Sequence, residues 1–240
     1  RWDGRAWHAL GTGLDSAVQP IAVSGSDLYV GGVFENNGGD PNADYIVRWD
    51  GTAWYPVGDG LNGMVNAMDV VGSDVYVGGA FTNAGGYDLN DYIARCDGPT
   101  WYPLGQGLNG VVETIAVVGS DVYVGGDFTD AGNTPSADRA ARWDGAFWHA
   151  LGSGVAGTVN SLAVAGDDLY AGGLLYFGRW DGADWHALDA GLVRRVRALE
   201  VNGPDLYVGG DFPDIGGNSR MSYIARLGPG YHVYLPLVVR

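Results

Sequence analysis

Short runs in which apolar and polar residues alternate recur along the whole chain, separated by glycine and aspartate. The clearest example runs from Val112 to Val118, turns at Gly119-Ser120, and resumes from Asp121 to Gly126, where Val122 and Val124 alternate with Tyr123. A two-residue period marks a strand with one buried face, and a Gly/Asp-type turn between two such runs marks a hairpin. A third run, about Ala140 to Trp143, and a fourth, Phe147 to Leu151, flank the turn at Asp144-Gly145. No window combines a 3.6-residue period with helix caps. The pattern predicts a meander of four antiparallel strands, A to D.

That meander repeats. Arg1, Arg48, Arg95, Arg142, Arg179 and Arg226 follow one another at intervals of 47, 47, 47, 37 and 47 residues. The paired glycines keep the same register: Gly31-Gly32, Gly78-Gly79, Gly125-Gly126, Gly172-Gly173 and Gly209-Gly210. So do the first tryptophan of a Trp-Asp-Gly turn (Trp2, Trp49, Trp143, Trp180) and a second tryptophan (Trp7, Trp54, Trp101, Trp148, Trp185). A fixed period of this length means an array of identical supersecondary units. Four strands repeated five times predict an all-β fold, a five-bladed β-propeller of four-stranded antiparallel blades with a C-terminal extra strand. The propeller is expected over residues 1–227 and an apolar tail over 228–240. An open β-solenoid is the competing arrangement and would need polar caps at both ends.

The succession Trp-Asp-Gly, Trp, Leu-Gly, Val-x-x-Ala-Val-x-Gly and Leu-Tyr-Val-Gly-Gly resembles kelch-type repeats. It is more closely similar to the kelch-like repeats of bacterial surface proteins and to the Rax2-type repeats of fungal cell-polarity markers. The likeness covers roughly residues 1–227 and implies a fold, not an activity. The Trp-Asp pair is unlike the WD40 signature, because it opens a turn and follows no Gly-His. A five-bladed lectin of the tachylectin type is similar in architecture and repeat length, not in motif.

Composition narrows the partners. The net charge is −15, all 13 basic residues are arginine, and the acid is mostly aspartate, a turn former. Such a surface repels nucleic acid and anionic membrane and suits cations, basic partners or neutral glycans. No run approaches the length of a membrane span. The one cysteine, Cys96, replaces the tryptophan of the turn motif; it excludes an intrachain disulfide and reads as a small buried hydrophobe. The chain begins inside a repeat, which reads as a processed or truncated start.

The last repeat supplies strands A, B and C but no matching D, whereas Ala6 to Leu10 give a D to spare. The expected closure therefore joins Ala6 to Leu10 to the last A, B and C strands, removing two sheet edges. This leaves an apolar tail: Tyr231, Val233, Tyr234, Leu235, Leu237, Val238 and Val239. Its proline suits an edge strand. It reads as a strand on its own closing blade, as a strand donated to a neighbouring molecule in self-assembly, or as a sorting tail. YLPLVVR resembles the C-terminal ends of secreted proteins from Chloroflexi-like bacteria.

Candidate chemistry is sparse. The B–C loops (35–44, 82–91, 129–138 and 213–222) are rich in Gly, Asn and Asp, and the fourth copy lacks ten residues there. Asp40, Asn42 and Asp44 alternate as calcium ligands do, and Asp88, Asn90 and Asp91 are loosely similar; aspartate and asparagine are also ordinary turn formers. Trp54, Trp101, Trp148 and Trp185 are expected to pack between blades, and aromatic residues there can also stack on sugars. His8, His149 and His186 share their position with Tyr55 and Tyr102, which marks a structural place. The recurrent arginines are expected to pair with Asp27, Asp74, Asp121, Asp168 and Asp205. No Ser/His/Asp set or metal-ligand spacing emerges. The expected protein is not an enzyme. It is extracellular or at the cell surface, structural or adhesive, and partnered by itself, by surface components or by glycans.

Overall fold

The computed structural model describes the chain except residues 36, 41, 87, 89–90, 135, 189–194, 213–222, 229–232 and 235–240. It forms two compact units, Arg1–Val112 and Glu113–Arg240. The first unit holds two four-stranded sheets: β1 (Val18–Ser24), β2 (Asp27–Gly32), β3 (Ile46–Trp49) and β4 (Trp54–Pro56), then β5 (Val65–Val71), β6 (Asp74–Gly79), β7 (Ile93–Asp97) and β8 (Thr100–Tyr102). A third sheet starts at the unit boundary with β9 (Val111–Val118), followed by β10 (Asp121–Asp127), β11 (Ala140–Trp143) and β12 (Trp148–Ala150). The second unit continues with β13 (Val159–Ala165), β14 (Asp168–Gly173), β15 (Tyr176–Trp180) and β16 (Trp185–Ala187). Its last sheet has β17 (Val196–Asn202), β18 (Asp205–Gly210), β19 (Ile224–Leu227) and β20 (Val233–Tyr234). Every sheet is ordered as the chain runs, and its strand pairs are antiparallel. No helix among the described residues is long and apolar enough to cross a membrane.

The paired glycines at the end of each B strand are required by two separate close approaches. The first glycine leaves room for a neighbouring sheet: a methyl group on Gly31 would lie 2.6 Å from Val65 Cγ1, on Gly125 2.5 Å from Val159 Cγ1, and on Gly172 2.3 Å from Val196 Cγ1. All three valines are fully buried. The second glycine leaves room within its own sheet. A methyl on Gly32, Gly79, Gly173 or Gly210 would meet the carbonyl oxygen that precedes strand A at 2.2, 2.0, 1.9 or 2.3 Å. Any side chain at either place would have to displace backbone or core.

Polar groups inside the sheets are paired once per copy. Arg48 reaches Asp27 at 2.6 Å, Arg95 Asp74 at 2.8 Å, Arg142 Asp121 at 2.8 Å, Arg179 Asp168 at 2.9 Å and Arg226 Asp205 at 3.4 Å. These are the pairings the repeat predicts. Each ties the start of strand B to strand C while both partners stay only partly exposed, where a charge-assisted bond outweighs a surface ion pair. Between neighbouring sheets of the second unit, hydroxyls take up edge N–H groups: Leu162 N–H donates to Thr114 Oγ1 at 3.1 Å and Leu199 N–H to Ser161 Oγ at 2.9 Å.

The long B–C loops are bolted at both ends. Phe34, Phe81, Phe128 and Phe212, each two residues after a glycine pair, are wholly buried. The residue before strand C takes a left-handed conformation: Tyr45 at φ 63°, Tyr92 at 63°, Arg139 at 61° and Tyr223 at 70°. This costs roughly 1 kcal/mol for a residue with a side chain. It turns the N–H of each toward the phenylalanine carbonyl, at 2.9, 3.0, 3.0 and 2.8 Å, and its own carbonyl back to the second glycine N–H. The fourth sheet has no such loop. Leu174 and Leu175 (φ 59°) turn Gly173 directly into Tyr176. The Tyr176 ring then lies T-shaped against Trp185 and over Gly178, where a methyl would strike its hydroxyl at 2.3 Å. The other copies have Val47, Ala94, Ala141 and Ala225 at the Gly178 position.

Two expectations about the ends need correction. Ala6 to Leu10 do not form a strand; residues 1–8 fold back on themselves through a single bridge, Trp2–Trp7, and through hydrogen bonds between Arg1 and His8. A lone pair of short segments has too few partners to make a stable ladder. The fourth place in the fifth sheet belongs instead to β20, with Arg226 opposite Tyr234 and Leu227 opposite Val233. The C-terminal strand therefore completes a sheet of its own chain. Tyr231, Leu235, Leu237, Val238 and Val239 lie outside the described residues.

The loop bolts give a stability contrast. Phe128→Ala should cost about 3–5 kcal/mol, while Phe147→Ala, at a side chain 71% exposed, should stay within about 0.5 kcal/mol. Urea unfolding midpoints check both; equal shifts would show that the phenylalanine anchors nothing.

Candidate functional site

The turns between strands C and D carry the sharpest difference among the copies. In most of them the aspartate of Trp-Asp-Gly caps its own turn. Asp50 Oδ1 accepts from Thr52 N–H at 2.8 Å and Ala53 N–H at 2.9 Å; Asp144 Oδ1 accepts from Ala146 and Phe147; Asp181 Oδ1 accepts from Ala183 and Asp184; Asp3 Oδ1 accepts from Arg5 and Ala6. The other oxygen meets the residue after the second tryptophan. His8, His149 and His186 place Nε2 2.6 Å from Asp3, Asp144 and Asp181. Tyr55, at the same position in the first copy, adds to the lowering of the Asp50 carboxyl. One position thus takes either His or Tyr, because each brings a donor to the same carboxylate, and the histidines are absorbed in structure. The backbone N–H groups, aided by these side chains, hold Asp3, Asp144 and Asp181 below the usual carboxylate range and Asp50 at about 2.

The second copy breaks this scheme. Pro99 stands where Thr52 donates to Asp50, and proline has no N–H to give. The turn keeps the length of its siblings, with Gly98 first at φ 58° and Asp97 paired with Thr100, the arrangement of a two-residue hairpin with glycine first. The first indole is also missing. Trp49 and Trp54 lie with ring centroids 5.1 Å apart, Trp143 and Trp148 5.5 Å, and Trp180 and Trp185 5.6 Å, whereas Trp101 faces Cys96. Cys96 is 1% exposed, donates weakly to the Gly98 carbonyl, and burial pushes its thiol up to about 12. It is the inert hydrophobe expected.

Beside this turn lies an open cleft of about 500 Å³, within the size of small-ligand sites. Its walls include Tyr29, Arg48, Tyr55, Pro56 and Pro99, with Cys96 at its base. Arg48 lies 5.2 Å from the centroid of the Tyr55 ring while held by Asp27, so the cation, the ring and the carboxylate fix one another. In the sequence Cys96 shows only as a buried hydrophobe, but Cys96 and Pro99 depart together from the Trp-Asp-Gly turn in one copy, and both line this cleft.

No protein-family model and no curated protein matches the chain. Solved structures do. The chain is similar to YCF48 bound to D1 peptide at 14% identity and a TM-score of 0.58, covering 94% of this chain and 69% of that one. It is similar to a chain of the nidogen/laminin complex at 14% identity and a TM-score of 0.55, covering 91% and 80%. The computationally designed Ika8 protein gives 15% identity and a TM-score of 0.50 over 90% and 82%. The fold is a β-propeller. The kelch-like and Rax2-like subtype is not distinguished by these likenesses.

Of the four tryptophans read as sugar-stacking candidates, two are packed away and two are half-buried. Trp101 and Trp148 are 3% and 6% exposed, so neither offers a ring face to a ligand. Trp54 and Trp185 are half-buried and donate Nε1–H to the carbonyls of Leu10 and Leu151 at 3.1 and 2.9 Å. The loop acids are engaged in their own loops. Asp40 Oδ1 accepts from Asn42 N–H at 2.9 Å, and Asp91 Oδ1 from Asn83 N–H at 2.8 Å. The Asp44 carbonyl takes the Ile46 and Leu61 N–H groups, and Asp88 is exposed. Asn90 lies outside the described residues. Among the described residues no group of three or more His, Cys, Asp or Glu is placed to hold a metal ion.

The capped aspartates make stability depend on acid. A carboxyl lowered by folding stabilises fully above its unfolded value of 3.8, and that contribution is lost as pH falls toward the folded value, about 2 for Asp50. The urea midpoint should therefore hold steady from neutral pH down to about 4.5 and drop between about 4 and 2. Asp50→Asn, which keeps an acceptor and cannot titrate, should make that drop shallower; an unchanged acid profile would remove the turn from the account.

Proposed function

We propose that this chain is a non-catalytic β-propeller binding module that engages a protein partner through the cleft beside the second C–D turn. The observation that carries this reading is the composition of that cleft. Tyrosine, arginine and proline gather at an open, preformed concavity, and tyrosine and arginine are the residues in which binding energy concentrates at protein interfaces. Arg48 keeps its structural partner Asp27 while it lines the cleft, and the histidines are spent on structural carboxylates. Propellers of similar fold have been solved with a D1 peptide and with laminin, which supports a protein as the class of partner. The extracellular or cell-surface location and the structural or adhesive setting implied by the repeat resemblance are proposed with it, supported by the lysine-free, aspartate-rich surface. Self-assembly through the tail draws less support, because β20 is already a strand of its own sheet. The lectin alternative lacks open rings at Trp101 and Trp148.

The test is selection of ligands from a random peptide library on the immobilised chain, followed by affinity measurement on Tyr29→Ala and Tyr55→Ala. Either substitution should weaken a selected peptide about tenfold or more. Peptides that bind both variants as well as the parent would place the partner elsewhere.

A further inference from the structure

Within each unit, sheets meet by one rule. A valine at the start of strand A stands over the first glycine of strand B in the sheet before it: Val65 over Gly31, Val159 over Gly125 and Val196 over Gly172. The junction buries the valine completely. It also buries the residue across the ladder from the glycine, which is Ile46 opposite Gly31, Ala140 opposite Gly125 and Phe177 opposite Gly172. Among the described residues one valine face and one glycine face of this kind stay uncovered.

The valine face belongs to the first sheet. Val18 holds the place of Val65, Val159 and Val196 but is 41% exposed. A register shift after Val18 brings Ile21 onto the same face, opposite Val30, and Val23 follows opposite Leu28. Ile21 and Val23 are 60% and 68% exposed, whereas Leu162 and Leu199, the counterparts of Ile21, are buried. Leu10, Leu14, Val30 and Trp54 continue this face around an apolar hollow of about 270 Å³ that Val18 and Ile21 also line. Contiguous apolar surface of this kind marks an interaction site more than a scattered exposed residue does.

The glycine face belongs to the fifth sheet. A methyl on Gly209 would meet the Tyr223 carbonyl oxygen at 3.8 Å and the Ala198 side chain at 3.9 Å, both ordinary contacts. Gly209 lies within β18 and is not among the glycines of positive φ. Ile224, opposite it, is 57% exposed, and Ala198 is exposed as well. Glycine inside a strand weakens it, and here neither crowding nor backbone conformation calls for one. In the other sheets the requirement comes from the valine of the next sheet.

We propose that the Val18 face of one molecule docks on the Gly209 face of a second copy of this chain, head to tail, by the same valine-over-glycine contact that joins sheets within each unit. The chain builds that junction three times from its own repeat and carries one further half of each sort, so the surface complementary to either half is the other half. The contact is heterologous, and a pair joined this way still offers a valine face at one end and a glycine face at the other. Neither Val18 nor Gly209 lines the cleft beside the second C–D turn, and β20 keeps its place in its own sheet. The association is thus separate from partner binding and from the tail.

The experiment is sedimentation velocity on the full chain from about 1 to 100 μM, with thermal unfolding of each variant alongside. The parent should gain mass with concentration. Gly209→Val fills the hollow over the glycine and Val18→Asp charges the valine face; each should raise the dissociation constant about tenfold or more. Both positions have room or solvent around them, so both variants should melt close to the parent, whereas Gly172→Val, where Val196 is already seated, should melt far lower. Mixed in equal amounts, the two variants should form a one-to-one dimer and stop there, because Val18→Asp keeps its glycine face and Gly209→Val its valine face. A parent that stays monomeric throughout overturns the proposal; if its thermal midpoint also falls in both variants, the two faces meet within one molecule instead. Self-association that Gly209→Val leaves unchanged overturns it too, by placing the contact elsewhere.

Discussion

The approach of a valine to a glycine that has no side chain is the constraint from which the rest follows. Val65, Val159 and Val196 are seated against Gly31, Gly125 and Gly172 more closely than any Cβ would permit. The adjacent glycine admits the carbonyl that precedes strand A. Once those two contacts are fixed, the distance between successive sheets within each unit is fixed too. The aromatic rings and aliphatic side chains then fill a wedge of set width, with Ile46, Val57, Val65, Val75 and Phe81 in one continuous core. Close packing leaves little tolerance in such a wedge. This is why the glycines keep register even where a loop ten residues long is missing.

Polar chemistry is arranged around that core. Arginine and aspartate brace strands B and C, aspartate and histidine or tyrosine brace the C–D turn, and phenylalanine with a left-handed residue closes the B–C loop. Each device is local, uses groups a few residues or one hairpin apart, and recurs. The second copy differs at two neighbouring positions, Cys96 and Pro99, which line its cleft of about 500 Å³; a cleft of about 540 Å³ lies at the equivalent place in the first copy, lined by Arg1, His8 and Trp49.

Much of this was legible in the sequence. The period, the strands and the arginine–aspartate pairs all follow from register, because register is a property of a one-dimensional string. The phenylalanine bolts left a signal of the same type, Gly-Gly-x-Phe in four copies, and were overlooked because attention went to the polar loop that follows. The closure through Ala6 to Leu10 was misread for a different reason, while the tail as a strand of its own closing sheet was among the readings. Counting strands identifies a vacancy in the fifth sheet but not which segment is near enough to fill it, and β20 is joined to β19 by a short connection. The tryptophans were ambiguous for want of depth: a ring at a repeat position reads the same whether its face is covered or bare. The cleft was invisible because a cavity is made by what surrounds a residue, and Cys96 on its own is an unremarkable buried thiol.

The fourth sheet carries a wider consequence. Its B–C connection is a two-residue turn, yet β14 and β15 pair in the register of their counterparts, and the accommodation is confined to Tyr176 leaning over Gly178. Connection length and sheet geometry are therefore independent variables in this architecture. The glycine pair and the left-handed residue before strand C act as splice points, between which the loop with its phenylalanine is present in four copies and withdrawn in the fourth sheet without re-registering the strands. An array built this way diversifies as a set of interchangeable cassettes, each free to drift while the frame that carries it is held under a far stricter steric rule.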